Sequence, residues 1–306
     1  DGVLVVPGLG DTMVKFAETL MAVHAMGYSC YIMDHHGQGL SGRLTDNPRV
    51  AHIQSFGHYV EDLLQFQRLI PELVPAAPVP RLVIAHSMGC LISLQAHHQA
   101  EFERLVLLAP MLTPHTRLGK TKLPNLVCGI GGLVMSALKQ GERCVFPGQR
   151  SVDHHRTGKL THDQVRIEHW VKMRTEIPWV IMDGPSFQWL RESIAACYLQ
   201  RLKESPRIPI LVVEAGQDVM VRGDGISRLV ARSPDSRYLR FEEAYHDVMD
   251  ETPDIVEPLM QEIARFLRGE QGSASEEEKK RGAPFFFSVR YWTGHYRDVV
   301  LRLLRR

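Results

Sequence analysis

The chain has 306 residues, of which 44% are hydrophobic and 23% charged, and its formal net charge at pH 7 is +1. This length is enough for one large α/β domain with a substantial core, or for two small domains. Because acidic and basic residues nearly cancel, no long-range field favours a polyanion, and the composition argues against nucleic-acid binding.

Short apolar strands alternate with amphipathic helices along most of the chain, beginning with the buried-strand pattern "GVLVV" at 2–6. The predicted strands lie at 2–6, 28–33, 81–85, 104–110, 209–215 and 237–241. The predicted helices lie at 13–26, 57–74, 88–99 and 253–268. This alternation predicts βαβ crossovers, and hence an α/β fold with a mainly parallel sheet covered by helices on both faces.

Two segments interrupt the alternation. Residues 111–184 show no clear strand and carry several helical patterns, which predicts a helical lid inserted over the sheet. Residues 269–306 begin with the polar linker "GEQGSASEEEKKRG" and continue into an aromatic and basic end whose role stays open. The core is therefore assigned to residues 1–110 and 185–268.

Metal, disulfide and nucleotide sites are not expected. The five cysteines are widely spaced and have no CxxC pair, which predicts buried free thiols. The histidine pairs at 35–36, 97–98 and 154–155 are adjacent, so their side chains should diverge, and none has HExxH spacing. The motifs "GLG" and "GQG" lack the lysine and hydroxyl group of a phosphate-binding loop, so no cofactor is expected.

The candidate nucleophile is Ser87 in "AHSMG" (85–89), between a predicted strand and a predicted helix. The pattern departs from the G-x-S-x-G nucleophile elbow only at Ala85. The tight turn of that elbow requires small residues two positions either side of the serine. Alanine nearly meets this requirement and Gly89 meets it fully, so Ser87 is interpreted as a nucleophile rather than a helix N-cap.

A serine nucleophile needs an imidazole base and an orienting acid. Of the fifteen histidines, His246 lies between the last predicted strand and the last helix, at the carboxyl edge of the sheet. Asp218 follows the strand at 209–215 and gives the chain order Ser, Asp, His. Asp224 and Glu214 remain as lesser candidates for the acid.

The predicted oxyanion donors are two backbone N–H groups. One belongs to Met88, directly after the nucleophile, and the other to the loop "PGLG" at 7–10, where Leu9 is the best candidate.

These motifs resemble those of the α/β-hydrolases, specifically the lysophospholipase and monoacylglycerol lipase branch, and within it the bacterial lysophospholipases, which also carry alanine before the elbow and "PG" where relatives have "HG". The resemblance extends over about residues 2–268 and is carried by "VVPGLGDTMVKFAETLMAVHAMGYSCYIMDHHGQGLSGR", "LVIAHSMG", "LLAPM", "GPSFQWLRESI", "EAGQDVMV" and "AYHDV".

The resemblance implies a triad of Ser87, Asp218 and His246, oxyanion amides at Leu9 and Met88, and a lid within 111–184. Two departures stand out. The two antiparallel strands that usually open such enzymes are missing, which predicts an incomplete sheet with an exposed edge. Residues 269–306 have no counterpart in the branch.

The expected activity is hydrolysis of the acyl ester of a single-chain lipid, a lysophospholipid or a monoacylglycerol, through an acyl-enzyme. The alternatives are an esterase or acyltransferase acting on other acyl esters, and an inactive hydrolase fold that serves as a binding module. The oligomeric state, the head group and the acyl length stay open.

The lid pairs an apolar run at 125–138 with an excess of basic residues. These are Lys120, Lys122, Lys139, Arg143, Arg150 and Arg156. The run is too short to span a bilayer. Docking on an anionic lipid surface and a lid that buries its own core are equally compatible with this pattern. The expected location is the cytoplasm, with peripheral contact to the inner membrane surface as the open alternative.

Overall fold

The computed structural model describes residues 1–75, 77–118, 121–145 and 159–270. The predictions for the tail at 271–306, for Lys120, Arg150 and Arg156, and for the histidine pair at 154–155 concern residues outside these ranges.

The six predicted strands and four predicted helices are all present, together with shorter elements. The strands are β1 (Gly2–Val6), β2 (Ser29–Ile32), β3 (Val50–Ala51), β4 (Leu82–His86), β5 (Arg104–Leu108), β6 (Arg117–Leu118), β7 (Thr121–Lys122), β8 (Gly184–Pro185), β9 (Ile210–Ala215) and β10 (Ser236–Phe241). The helices are α1 (Ala17–Ala25), α2 (Gly57–Leu73), α3 (Met88–Ala96), α4 (Asn125–Ala137), α5 (Gln164–Glu176), α6 (Phe187–Leu202), α7 (Gly223–Arg232) and α8 (Pro253–Leu267).

The largest boundary difference is at α1, which begins at Ala17 rather than at residue 13. The Met13 amide donates to the Asp34 carboxylate over 2.7 Å, and the Lys15 amide closes a turn on the Thr12 carbonyl. These contacts hold the segment before α1 in turns, so the helical spacing of its apolar residues does not become a helix.

The central sheet confirms the predicted α/β architecture. Its six strands run in the order β10-β9-β5-β4-β1-β2, and every pairing is parallel. Successive side chains of a strand point to opposite faces. In β1, Leu4 and Val6 therefore join one core cluster, while Val3 and Val5 join the other.

Helices cover both faces of the sheet. The first cluster packs α2 and α3 against one face, with Tyr59 and Leu91 fully buried. The second packs α8 against the other face, with Leu259 and Ile263 fully buried. The edge strand β2 is exposed at Ser29 and half-buried along the rest, in agreement with the predicted exposed edge.

The strand order reverses direction at β1. After β1 the chain moves to β2 on one side, and it then returns to β4 on the other side. Open α/β sheets bind ligands at such a switch point, in the crevice beyond the carboxyl ends of the strands. Residues 7–10 follow β1 and Ser87 follows β4, so the two meet at this crevice.

The insertion at 111–184 is helical in its longer elements, but the expectation that it contains no strand is wrong. Strands β6 and β7 form a two-residue antiparallel pair, and β8 pairs in parallel with β3 of the core. Such two-residue pairings have too few residues to produce a recognisable alternation pattern.

Helix α4 lies in the insertion at 111–184, the predicted lid, which is called the cap from here on. It packs closely on α6. A Cβ added at Gly132 would lie 2.7 Å from the Phe187 carbonyl oxygen and 2.9 Å from Cβ of Arg191. No residue larger than glycine fits at this crossing. The glycine therefore lets the backbones of the two helices approach closely.

The five cysteines, all of which are described, are free thiols, but the expectation that they are buried holds only in part. Cys90 and Cys197 are buried, whereas Cys30, Cys128 and Cys144 are half-buried, so the expectation is wrong for these three. Within the described ranges, no helix has both the length and the apolar character needed to cross a membrane.

Candidate active site

Ser87 lies on a strained turn between β4 and α3. Its backbone has φ 51° and ψ −113°, and its amide donates to the Leu108 carbonyl over 2.9 Å. Positive φ is costly for a residue with a side chain, and such strain is concentrated at functional sites. The turn has the geometry of a nucleophile elbow.

The two small residues around Ser87 carry unequal steric demands. A Cβ added at Gly89 would lie 2.1 Å from the Val6 carbonyl oxygen and 2.6 Å from that of Pro7, so only glycine fits. Ala85 is fully buried in β4, between Val6 of β1 and Leu107 of β5. Its methyl group is part of the core, which explains why alanine is accepted there.

The structure brings Ser87, His246 and Asp218 into one hydrogen-bonded chain. His246 Nε2 lies 2.9 Å from Ser87 Oγ, and His246 Nδ1 lies 2.7 Å from Asp218 Oδ2. The other carboxylate oxygen, Asp218 Oδ1, accepts from the amides of Met220 at 2.7 Å and Val221 at 2.9 Å. The carboxylate is thus fixed by its own loop while it faces the imidazole.

The electrostatics of the pair favour a charged imidazole. Burial by itself would lower the pKa of His246, but the adjacent Asp218 carboxylate outweighs it and raises that pKa above its usual value. Burial likewise opposes ionisation of Asp218, but His246 and the two amides hold its pKa below the usual value. The arrangement suits a base that must accept a proton and carry the resulting charge.

The two lesser candidates for the acid have other partners. Asp224 lies in the first turn of α7, where Arg228 donates to it over 2.8 Å. Glu214 accepts from Tyr238 and Arg240, both at 2.6 Å. No helix was predicted at α7, whose first turn carries two glycines.

The two segments that carry the predicted oxyanion donors lie next to Ser87. Met88 is the first residue of α3, and N–H groups of a first helical turn have no acceptor within the helix. The loop at 7–10 approaches so closely that a Cβ on Gly8 would lie 3.1 Å from Ser87 Cβ. The amides on either side of Leu9 are held by side chains, Gly8 N by Asp11 at 2.9 Å and Gly10 N by Gln38 at 2.6 Å.

A buried charged cluster behind the triad was missed in the sequence. Lys15 Nζ lies 2.8 Å from both Asp11 and Asp247 and 3.7 Å from Asp250. The second Asp11 oxygen lies 2.8 Å from His86 Nδ1, directly before the elbow serine. The one sequence signal for this cluster is that Asp11 and Lys15 lie four residues apart, directly after the loop at 7–10.

Burial and like charges set the protonation of this cluster. Desolvation, with repulsion from Asp247, raises the pKa of Asp250 to about 7. Asp11 is held well below its usual pKa, because Lys15 and His86 outweigh the effect of burial. The cluster links the loop at 7–10, the elbow and the loop that carries His246.

The only grouping of ligand atoms with metal-like proximity in the described residues is His86, His246 and Asp247, within 4.8 Å of one another. Both His246 nitrogens already contact Ser87 and Asp218, and His86 contacts Asp11 and the His246 carbonyl. A cation bound there would displace these hydrogen bonds.

The expected divergence of adjacent histidine side chains is wrong at His97 and His98, just after α3. The centroids of their rings lie 3.7 Å apart.

Three curated relatives share moderate sequence similarity with the chain. A probable lysophospholipase L2 of Haemophilus influenzae is 27% identical over 86% of this chain and 82% of its own length. Lysophospholipase L2 of Escherichia coli is 29% identical over 63% of this chain, and that match spans 56% of the relative. The monoglyceride lipase of Rattus norvegicus is 22% identical over 84% of this chain and 78% of its own length.

Solved structures share the fold. The soluble variant of Saccharomyces cerevisiae monoglyceride lipase, solved with a substrate analogue, superposes with a TM-score of 0.68 at 17% identity, over 89% of this chain and 87% of that one. The Paleococcus ferrophilus monoacylglycerol lipase gives 0.65 at 18% identity, over 88% and 95%. The family model described as serine aminopeptidase, S33 matches residues 2–253, and the chain therefore belongs to this hydrolase family and has the α/β-hydrolase fold.

Proposed function

We propose that the protein is a serine carboxylic-ester hydrolase that works through an acyl-enzyme. The observation that carries this proposal is the continuous chain from Ser87 Oγ to His246 to Asp218, with contacts of 2.9 and 2.7 Å. Ser87 attacks the ester carbonyl while His246 takes its proton. His246 then donates that proton to the leaving alcohol, and Asp218 orients the imidazole and stabilises its cation.

The proposed oxyanion donors are the amides of Leu9 and Met88. Negative charge develops on the carbonyl oxygen next to the elbow, and hydrogen bonds from these two N–H groups would stabilise it. Water then attacks the acyl-enzyme with His246 again acting as base, which releases the fatty acid and restores Ser87.

The proposed substrate is a lipid ester with a single acyl chain. The support comes from the relatives, which are named lysophospholipases and monoglyceride lipases. Ser87 is only 8% exposed, which favours a substrate that reacts in an enclosed, water-poor site.

A matched substrate panel tests this function. Lysophosphatidylcholine, lysophosphatidylethanolamine, monoolein, p-nitrophenyl esters of several lengths and an amino-acid p-nitroanilide are compared by kcat/KM. We expect the single-chain lipids to exceed the short p-nitrophenyl esters by about tenfold or more, because each buried methylene contributes roughly 0.8 kcal/mol of binding. A short-chain optimum without lipid hydrolysis contradicts the lipid substrate, and preference for the anilide favours a peptidase.

We further propose that the cap meets anionic lipid through one face of α4. Large apolar side chains on that face are half or more exposed and recur at helical spacing. They are Leu126, Val127, Ile130, Leu133, Val134 and Leu138. Residues 104–141 contain no acidic residue, so the sequence around this face is basic and complements an anionic surface.

Replacing Ile130 and Leu133 together by aspartate should weaken binding to phosphatidylglycerol-containing vesicles by at least about tenfold, since two apolar anchors are lost and two repelled charges are added. Vesicle cosedimentation at two salt concentrations measures this. The matched control replaces the exposed Leu73 and Val74 of the α2 end by aspartate and should bind as the wild type does. Equal loss in both variants contradicts the assignment, and a wild-type dimer that the first variant dissociates indicates self-association instead.

A further inference from the structure

The loop at 7–10 is held by contacts from a neighbouring residue and from distant parts of the chain. Buried Asp11, three positions after Gly8, accepts from the Gly8 amide, and buried Gln38, 28 positions after Gly10, accepts from the Gly10 amide. Glycine has the widest conformational freedom of any residue, and Gly10 has a positive φ of 77°. A loop with this composition keeps one orientation of its amides only when outside contacts impose it.

The cap supplies a further contact to this loop through Arg174. Its Nη2 donates to the Gly10 carbonyl over 2.7 Å, although 164 positions separate the two residues. Arg174 is 4% exposed, and burial lowers the pKa of its guanidinium against the opposing effect of Asp11 and Asp247. Burying a guanidinium carries a desolvation cost, which an apolar residue at this position would avoid.

Helix α5 connects this contact to the loop that carries His246. Near the start of α5, Arg166 donates to the Glu251 carbonyl over 2.9 Å and to the Glu18 carboxylate over 2.6 Å. Arg174 lies eight residues further on, a rise of about 12 Å along the helix. Helix α5 therefore contacts the loop that carries His246 near its first turn and the loop at 7–10 near its last turn.

We propose that Arg174 is a positioning residue that holds the loop at 7–10 in its oxyanion-binding orientation. This inference rests on the proposed acyl-enzyme function. Arg174 acts through the Gly10 carbonyl and not on the substrate. Because the loop binds charge that develops only in the transition state, a loosened loop lowers kcat far more than it changes KM.

The test compares Arg174→Ala and Arg174→Gln with the wild type. A fluorophosphonate, reacted to completion, counts the active serines in each sample, and the turnover rate is divided by that count to give kcat per labelled site. We expect kcat per labelled site to fall about 10- to 50-fold, below the roughly 100- to 1,000-fold loss of an oxyanion donor itself. KM should change by less than about threefold. Added guanidinium ion should restore part of kcat in Arg174→Ala by occupying the space of the lost group.

The matched control is Lys172→Ala, an exposed cation on the same helix, which should keep wild-type kcat. A merely structural role for Arg174 would reduce the fraction of protein that takes the label and leave kcat per labelled site unchanged. That result, in whichever of the two variants folds, overturns this inference alone. Absence of both label and turnover in the wild type overturns this inference together with the proposed function.

Discussion

Replacing Ser87 by alanine should lower ester turnover on the order of a million-fold, the loss typical of a triad nucleophile. Alanine removes the oxygen that attacks the carbonyl and leaves His246 with no proton to accept. The residual rate should come from the oxyanion donors and substrate binding alone. The measurement is the initial rate on the best ester of the substrate panel, with circular dichroism to establish that the variant is folded.

Ser227→Ala is the matched control, because Ser227 is an exposed serine whose hydroxyl donates to the Gly223 carbonyl of its own helix. It should retain wild-type turnover. A fluorophosphonate should modify Ser87 in the wild type and in Ser227→Ala, as peptide mass spectrometry would show. If Ser87→Ala folds and keeps turnover within about tenfold, the proposed mechanism is wrong. If the wild type neither labels nor hydrolyses any ester, the hydrolase fold serves as a binding module.

The sequence located the triad candidates because each follows a strand that is easy to recognise. Parallel strands deliver the residues after their carboxyl ends to one edge of the sheet. Ser87, Asp218 and His246 could therefore be brought together from strand order alone. The choice of Asp218 over Asp224 needed more than this, since both follow β9, and the structure separates them by placing Asp224 at the start of α7.

The charged cluster and the cap contacts could not be predicted in the same way. The helical pattern at 13–26 places Lys15 on a helix, whereas turns before α1 direct its ammonium group into a buried site. The Arg174–Gly10 contact joins residues 164 positions apart through a backbone carbonyl, which leaves no trace in the side-chain pattern. The cluster depends on turns that replace the predicted start of a helix, and the Arg174–Gly10 contact depends on how α5 packs against the loop at 7–10. Sequence periodicity reports neither.

Replacing Asp218 by asparagine should lower kcat by about 10,000-fold while leaving the fold intact. The amide can donate to His246 Nδ1, which favours the tautomer with its proton on Nε2, where it cannot accept from Ser87. The amide also removes the charge that stabilises the imidazolium. Asp224→Asn is the matched control, since its carboxylate faces Arg228 and not His246, and it should leave kcat within about twofold.

The pH profile gives a second readout of the same pair. His246 must be neutral to act as base, so kcat/KM falls as pH drops through its pKa. Asp218 raises that pKa above the ordinary histidine value of 6.5, which places the acid limb of the wild type above pH 6.5. Without the carboxylate, burial dominates and lowers the pKa, so the limb of Asp218→Asn should move to lower pH. A limb that stays in place, or a larger loss in Asp224→Asn than in Asp218→Asn, would assign the orienting acid elsewhere.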